Sequence, residues 1–238
     1  MFYIADKPWV DLDAHLDIKT FDSFKDKIEL GIANNHQRIV SAVTPKSTFL
    51  DSSIDSLYDQ RLKYAGVVDS QNLNFYSKFK GATIGSFLYL RNCNNYPKDY
   101  HLKHLHNHTS ASFFSLNFQF IFDWINDQDC FSEYGRTVFF ISDAWQQGAV
   151  HRDYPLHSTT KKKDMFIWIS GSSLKKIFLY DEELNNKIFC PGRSAIFDNL
   201  NYHGSENNSW YTNWSLRVDG VFNKKWAEKV GVAEHYNL

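Results

Sequence analysis

Met165-Phe-Ile-Trp-Ile-Ser-Gly-Ser-Ser-Leu-Lys-Lys-Ile-Phe-Leu-Tyr-Asp181 holds two five-residue runs, Met165 to Ile169 and Lys176 to Tyr180, rich in β-branched and aromatic residues and parted by Gly-Ser-Ser. Short runs of this kind between turn residues read as strands, because a helix needs ten or more residues of sustained 3.6-residue period. The texture recurs upstream in Ile84 to Leu90 and Thr137 to Ile141, and downstream in Ala195 to Phe197 and Leu216 to Phe222. Each run is bounded by Gly, Asn, Asp or Pro. Many short strands with turn signals between them predict a sandwich or jelly roll. Residues 1–83 read differently. Phe21, Phe24 and Ile28 recur at helical spacing, and Ile54, Leu57, Tyr58 and Leu62 repeat the pattern, so a mostly helical flanking region is predicted there. Residues 84–222 form the expected β core and 223–238 a C-terminal helix or tail. Phe113 to Ile125 fits either period, and Ser110 and Ser112 before it, as possible caps, tip the reading to helix.

The chain has 238 residues, 43% of them hydrophobic, enough to bury a full-sized core as one domain. With 11 Gly and 5 Pro, neither of them clustered, no linker or domain boundary is visible. Twenty-six basic against twenty-seven acidic residues supply no general attraction to nucleic acid or an anionic membrane. Phe113 to Ile125, the longest aromatic stretch, is broken by Ser115, Asn117, Gln119 and Asp123, well short of the roughly 18 apolar residues of a membrane span. Met1 to Val10 carries Asp6 and Lys7 and has no signal-peptide pattern, so a cytoplasmic protein is expected. Cys93, Cys130 and Cys190 are odd in number and widely spaced, which argues against a disulfide framework or a structural zinc site.

The residues that carry chemistry begin at Gly148-Ala-Val-His151-Arg-Asp153-Tyr-Pro155, an apolar run ending in a His-x-Asp pair. On a strand, residues i and i+2 face the same way, so His151 and Asp153 can address one metal ion. Alone the pair is a common surface dipeptide. Fifty residues beyond Asp153, Pro191-Gly-Arg-Ser-Ala-Ile-Phe-Asp-Asn-Leu-Asn-Tyr-His203-Gly-Ser205 gives a turn, a short apolar strand and a polar turn presenting a second histidine. Two histidines and a carboxylate are the facial ligand set of non-haem Fe(II) oxygenases. Fourteen residues further, Arg217 lies amid apolar neighbours in Ser215-Leu-Arg-Val-Asp-Gly-Val-Phe222. A guanidinium on an inward strand face needs an anion, and its planar fork suits a carboxylate.

This order and spacing of His-x-Asp, His and Arg resembles the Fe(II)/2-oxoglutarate-dependent dioxygenase superfamily, in particular its small phage- and bacterial-type members. The resemblance spans residues 84–222. It implies a double-stranded β-helix, cupin-like, in which His151, Asp153 and His203 hold Fe(II). The cosubstrate 2-oxoglutarate would chelate the metal and pair its remote carboxylate with Arg217. Dioxygen would be the oxidant, succinate and carbon dioxide the by-products, and hydroxylation the outcome. Asp153 stands where related halogenases carry a small residue, which disfavours halogenation. Asp219 departs from the pattern, since many relatives place a hydroxyl residue there that touches the cosubstrate. It is expected to orient Arg217 or to face outward. Tyr89 and Arg91, on an earlier strand, are the candidates for a second cosubstrate contact.

Gln147, Tyr154 and His157 flank the first ligand pair and are candidates to line the substrate site. His101, His104, His106 and His108 form a conspicuous tract without a carboxylate or cysteine partner and read as a polar loop. Lys161 to Lys163 read as a charged hairpin tip. Trp210, Tyr211 and Trp214 are assigned to aromatic packing around the barrel. The expected substrate is an amino acid, a peptide side chain or another small metabolite, with nucleic acid disfavoured by the balanced charge and no membrane partner. Two other classes fit the same residues: a cupin-like metal-dependent isomerase or lyase, and a non-catalytic binding jelly roll. Arg217 at its distance from His203 speaks against the first of these.

Overall fold

The computed structural model describes residues 4, 7–43, 83–94, 99–111, 117–148, 150, 163–181 and 183–238. Among these, the strands are β1 (Val10–Asp11), β2 (Val40–Val43), β3 (Thr83–Cys93), β4 (Thr109–Ala111), β5 (Phe131–Ser142), β6 (Phe166–Ser170), β7 (Lys175–Asp181), β8 (Asn186–Phe189), β9 (Ser194–Ile196), β10 (His203–Asn207) and β11 (Asn213–Phe222). They form two antiparallel sheets. The larger runs β1-β9-β6-β11-β5-β3-β2, with β4 also on β3, and the smaller runs β10-β7-β8. From β5 onward the chain passes back and forth between them: β6 in the large sheet, β7 and β8 in the small, then β9, β10 and β11 in alternate sheets. That winding is a double-stranded β-helix, the predicted jelly roll.

The central strand β11 shows why these residues build this shape. Its side chains alternate between the two faces of the sheet. Trp214, Leu216 and Val218 join an outer core with Phe21, Ile28, Ile121, Trp124 and Trp226. Ser215, Arg217 and Asp219 take the other face, toward the small sheet. That inner space is walled by Phe166 and Trp168 of β6, Ile177 and Leu179 of β7, Ala195 of β9, and Phe197. With both faces covered, β6 buries every residue, which is why it reads as an unbroken apolar run. The turn after it needs Gly171, since a Cβ there would lie 2.7 Å from the Trp214 ring.

The outer core is closed by helices α1 (Ile18–Ser23), α2 (Lys25–Asn34), α3 (Gln119–Asp127), α4 (Lys224–Lys229) and α5 (Ala233–Tyr236). Asp17 caps α1, its carboxylate accepting from Thr20 N at 3.0 Å. The helical period of Phe21, Phe24 and Ile28 is realised as two helices breaking at Phe24. The flanking region is not purely helical, because β1 extends the large sheet beside β9 and β2 extends it beside β3. Ile54 to Leu62 lies outside the described residues. The helix predicted over 113–125 begins only at Gln119, after an N-cap, Phe118, without a side-chain bond. Ser110 does not cap it: Ser110 sits in β4 opposite Asn92 of β3.

Among the described residues, Phe178 and Tyr180 on the outer face of the small sheet pack with Val150 and Tyr202, and Phe189 and Leu184 stand exposed nearby. All three cysteines are buried and unbridged, as expected of inert thiols. No helix among the described residues is long and apolar enough to cross a membrane.

Candidate functional site

Cross-strand partners share a face, so register alone locates the side chains. Arg217 lies opposite Val138 of β5 and Trp168 of β6, and Asp219 lies opposite Phe166. Both therefore face the barrel interior. Tyr89 is also opposite Val138, which places it on that face two strands away from Arg217. From the small sheet, His203 opens β10 opposite Leu179, a residue of the inner core, and its ring centroid lies 5.0 Å from that of Phe197. His203 and Arg217 thus enter one interior from facing sheets.

The local chemistry of His203 fixes its tautomer. Nδ1 lies 2.9 Å from the backbone oxygen of Asn201. A carbonyl oxygen only accepts, so Nδ1 carries the hydrogen and the neutral ring has its lone pair on Nε2. Metal-binding histidines are held by this same outer hydrogen bond. The sequence reading put His203 on a polar turn; pairing with β7 makes it the first residue of a strand.

Arg217 belongs to a buried charge network. Its Nε donates to Asp219 Oδ1 at 3.0 Å and its Nη2 lies 2.9 Å from the same oxygen. Arg136 Nε donates to Asp219 Oδ2 at 2.6 Å. Asp164 lies 3.5 Å from Arg217 Nη2, takes the ammonium of Lys103, and accepts from Asn199 Nδ2 at 2.9 Å. The guanidinium of Arg217 sits 3.9 Å above the Phe166 ring centroid. Burial drives the Asp219 carboxyl up, but Arg136, then Arg217 and Lys103, overcome this and hold it below the ordinary carboxylate value. Asp219 therefore orients Arg217, the first of the two roles expected for it. Among the described residues the network has three cations against two carboxylates. A pocket of about 150 Å³ opens beside it, lined in part by Lys103, His104, Lys163, Asp164 and Asp219.

Lys103, like Arg136 and Asp164, is a member that sequence reasoning missed. It sits in the histidine tract read as a polar loop, yet only 1% of it is exposed. The tract lies against β5 because Gly135 lets the backbones touch: Arg136 N donates to Lys103 O at 2.7 Å, and a Cβ on Gly135 would be 2.3 Å from that oxygen. The pairing of this loop with Gly135 leaves no periodic signal.

Other expected site residues fall elsewhere. A register shift between Tyr89 and Arg91 turns Arg91 to the helix side of the sheet, opposite Thr137, where its guanidinium stacks 4.4 Å from the Phe122 ring and 5.1 Å from that of Tyr134. Arg91→Ala is expected to cost about 1 kcal/mol in a urea melt through that lost stacking, and to leave ligand binding beside Arg217 unchanged. Gln147 pairs with Glu206 of β10 and accepts from Lys187 Nζ at 2.7 Å, on the outer side of the small sheet. It does not line the interior reached by His203. His151, Asp153, Tyr154 and His157 lie outside the described residues. The chain leading to them runs beside β10, the strand of His203, with Gly148 N donating to Ser205 O at 2.7 Å.

Lys163 is half-buried, its Nζ 3.2 Å from the backbone oxygen of His235 in α5, so this end of the predicted lysine tip is tied to the C-terminal helix. Of the aromatics assigned to packing, Trp214 is in the outer core, while Trp210 is exposed.

No protein-family model matches the chain, and no curated protein matches it. Among solved structures, it is similar to an oxidoreductase of the 2OG-Fe(II) oxygenase family from Burkholderia pseudomallei, with 7% identity and a TM-score of 0.37 over 81% of this chain and 88% of that one. A Pseudomonas putida prolyl-4-hydroxylase gives 6% identity and a TM-score of 0.33 over 85% and 97% of the two chains. A cupin domain from Bordetella pertussis gives 10% identity and a TM-score of 0.26 over 39% and 84%. At such values none of the three speaks to chemistry, which has to come from the residues themselves.

Proposed function

We propose that the protein is an Fe(II)- and 2-oxoglutarate-dependent dioxygenase that hydroxylates an amino acid, a peptide side chain or another small metabolite. The observation that carries this reading is the entry of His203 and Arg217 into one barrel interior from opposite sheets, at the positions the sequence pattern assigns them. The residues fit the group. The Asn201 carbonyl at Nδ1 of His203 leaves Nε2 as the nitrogen for a metal, and Arg217 brings a buried guanidinium to the same interior. His203 would hold the metal together with His151 and Asp153. When bound, the iron supplies, with 2-oxoglutarate and dioxygen, the oxidation of an unactivated C–H bond with release of succinate and carbon dioxide.

The remaining tasks fall to the chain. The Asn201 carbonyl keeps the His203 ring in one tautomer and one orientation. Phe166, Trp168 and Phe197 wall the interior and keep water from it. Asp219 and Phe166 fix the Arg217 guanidinium, so its charge needs no reorganisation when an anion arrives.

Anaerobic titration with Fe(II) is expected to give a weak visible charge-transfer band only after 2-oxoglutarate is added, and a screen of metabolites and peptides should find substrate-stimulated succinate release. No band and no succinate under any condition would overturn the proposal. The engagement of Arg217 by Asp219 favours one other reading, a cupin-like metal-dependent isomerase or lyase that uses no 2-oxo acid. Metal binding without any response to 2-oxoglutarate is the result that selects it.

A further inference from the structure

The C-terminal helix α5 sends one side chain back to the segment that carries His203. His235 stands between Lys163, in the loop before β6, and Asp198, in the turn after β9, and its side chain is only 7% exposed. The Lys163 ammonium lies 3.3 Å from His235 Nδ1 and donates to the His235 backbone oxygen at 3.2 Å. An ammonium only donates, so Nδ1 accepts and the neutral ring carries its hydrogen on Nε2. Burial first, then Lys163, hold the ring below the ordinary imidazole value against the pull of Asp198, so the neutral form is the one present at neutral pH. Nε2 faces Asp198 Oδ2 at 3.7 Å, and among the described residues neither atom has a hydrogen-bond partner. That distance is too long for a hydrogen bond, yet at this burial the carboxylate charge still attracts the N–H dipole strongly.

We propose that His235, acting through Asp198, is a positioning residue for the metal ligand His203. The proposal rests on the dioxygenase reading, because it takes His203 as a ligand. The links lie on one short turn. Asp198 Oδ1 accepts from Leu200 N at 3.0 Å and Asp198 O accepts from Asn201 N at 3.1 Å, which folds residues 198–201 tightly around the carboxylate. The same Asn201 offers its carbonyl to His203 Nδ1 at 2.9 Å. Asp198 is 1% exposed, so the tilt of its carboxylate is set by the groups that face it and not by solvent. Asn199 pins the turn a second time, donating from Nδ2 to Asp164 Oδ2 at 2.9 Å. The turn is thus tied to the Arg217 network through Asn199 and to α5 through Asp198. α5 is itself held in the outer core by Ala233 and Tyr236, so His235 refers the turn to a packed body. A ligand has to stand within about 0.5 Å of its bonding position, and a shifted Asn201 carbonyl would swing the His203 ring out of it.

Fe(II) binding to the full-length protein is measured anaerobically by calorimetry, with a urea melt on each variant. His235→Ala is expected to bind Fe(II) about tenfold more weakly, the lower end of the range for partners outside the metal's own shell. Asp198→Asn keeps an acceptor for Leu200 N but sets an amide N–H against the His235 N–H. It should show the same loss, and it carries the test if His235→Ala does not fold. His235→Gln places an amide N–H where the imidazole Nε2 stands and should restore the affinity, which a merely structural role would not require. Arg91→Ala is the control, since it removes the stacking on Phe122 without touching the turn and should leave Fe(II) affinity unchanged. Unchanged affinity in a folded His235→Ala or Asp198→Asn overturns the positioning role and leaves the dioxygenase reading standing. An equal loss in His235→Gln or in Arg91→Ala does the same. No Fe(II) binding by the unmodified protein overturns that reading, and the positioning role with it.

Discussion

Asp219→Ala is expected to destabilise the protein by about 3–5 kcal/mol, the cost of stranding buried charge when one partner of an ion pair is removed. Asp219 is fully buried and serves two guanidiniums, Arg136 at 2.6 Å and Arg217 at 2.9 Å. Taking it away leaves both cations inside the barrel with Asp164 as the nearest remaining carboxylate of the network, 3.5 Å from Arg217. Urea melts at neutral pH measure the loss, and a change below about 1 kcal/mol, the scale of an exposed pair, would show that the network is not closed to solvent. The pH dependence has a definite sign. The folded Asp219 carboxyl is held below its ordinary value, so its contribution is present above the unfolded pKa of about 4 and is lost as pH falls through the lower, folded value. The difference between the unmodified protein and Asp219→Ala should therefore shrink only in strong acid.

The second large effect is on metal. His203→Ala is expected to weaken Fe(II) binding by more than about a hundredfold, because loss of a ligand exceeds the roughly 10–100-fold penalty of losing a partner outside the metal's own shell. Calorimetric titration under anaerobic conditions reads this directly, and a melting curve shows that the fold survives. An unchanged metal affinity would remove His203 from the ligand set.

How far such a site can be read from sequence differs strand by strand. β6 and β7 were legible because burial on both sides gives unbroken apolar runs between turn residues. β10 was not: His203-Gly-Ser-Glu-Asn207 has no large apolar residue, and only its pairing with β7 makes it a strand. Arg217 was legible as an inward cation, since it alternates with Leu216 and Val218. Its partners were not all legible, because Asp164 reaches it from a loop with no period, and Lys103 reaches Asp164 from another. Arg91 was misassigned to the interior for a mechanical reason. Alternation predicts the face only while the register holds, and the shift after Tyr89 exchanges the two faces. Nothing in Lys175-Lys176 says which of the two is buried, and it is Lys175.

Among the described residues the helices pack against the large sheet. β5, β6 and β11 are held between the inner core and that helical coat, so their amides should exchange with solvent only when the whole domain unfolds. Arg217, on β11, therefore keeps its place through local openings that would displace a side chain carried by a loop.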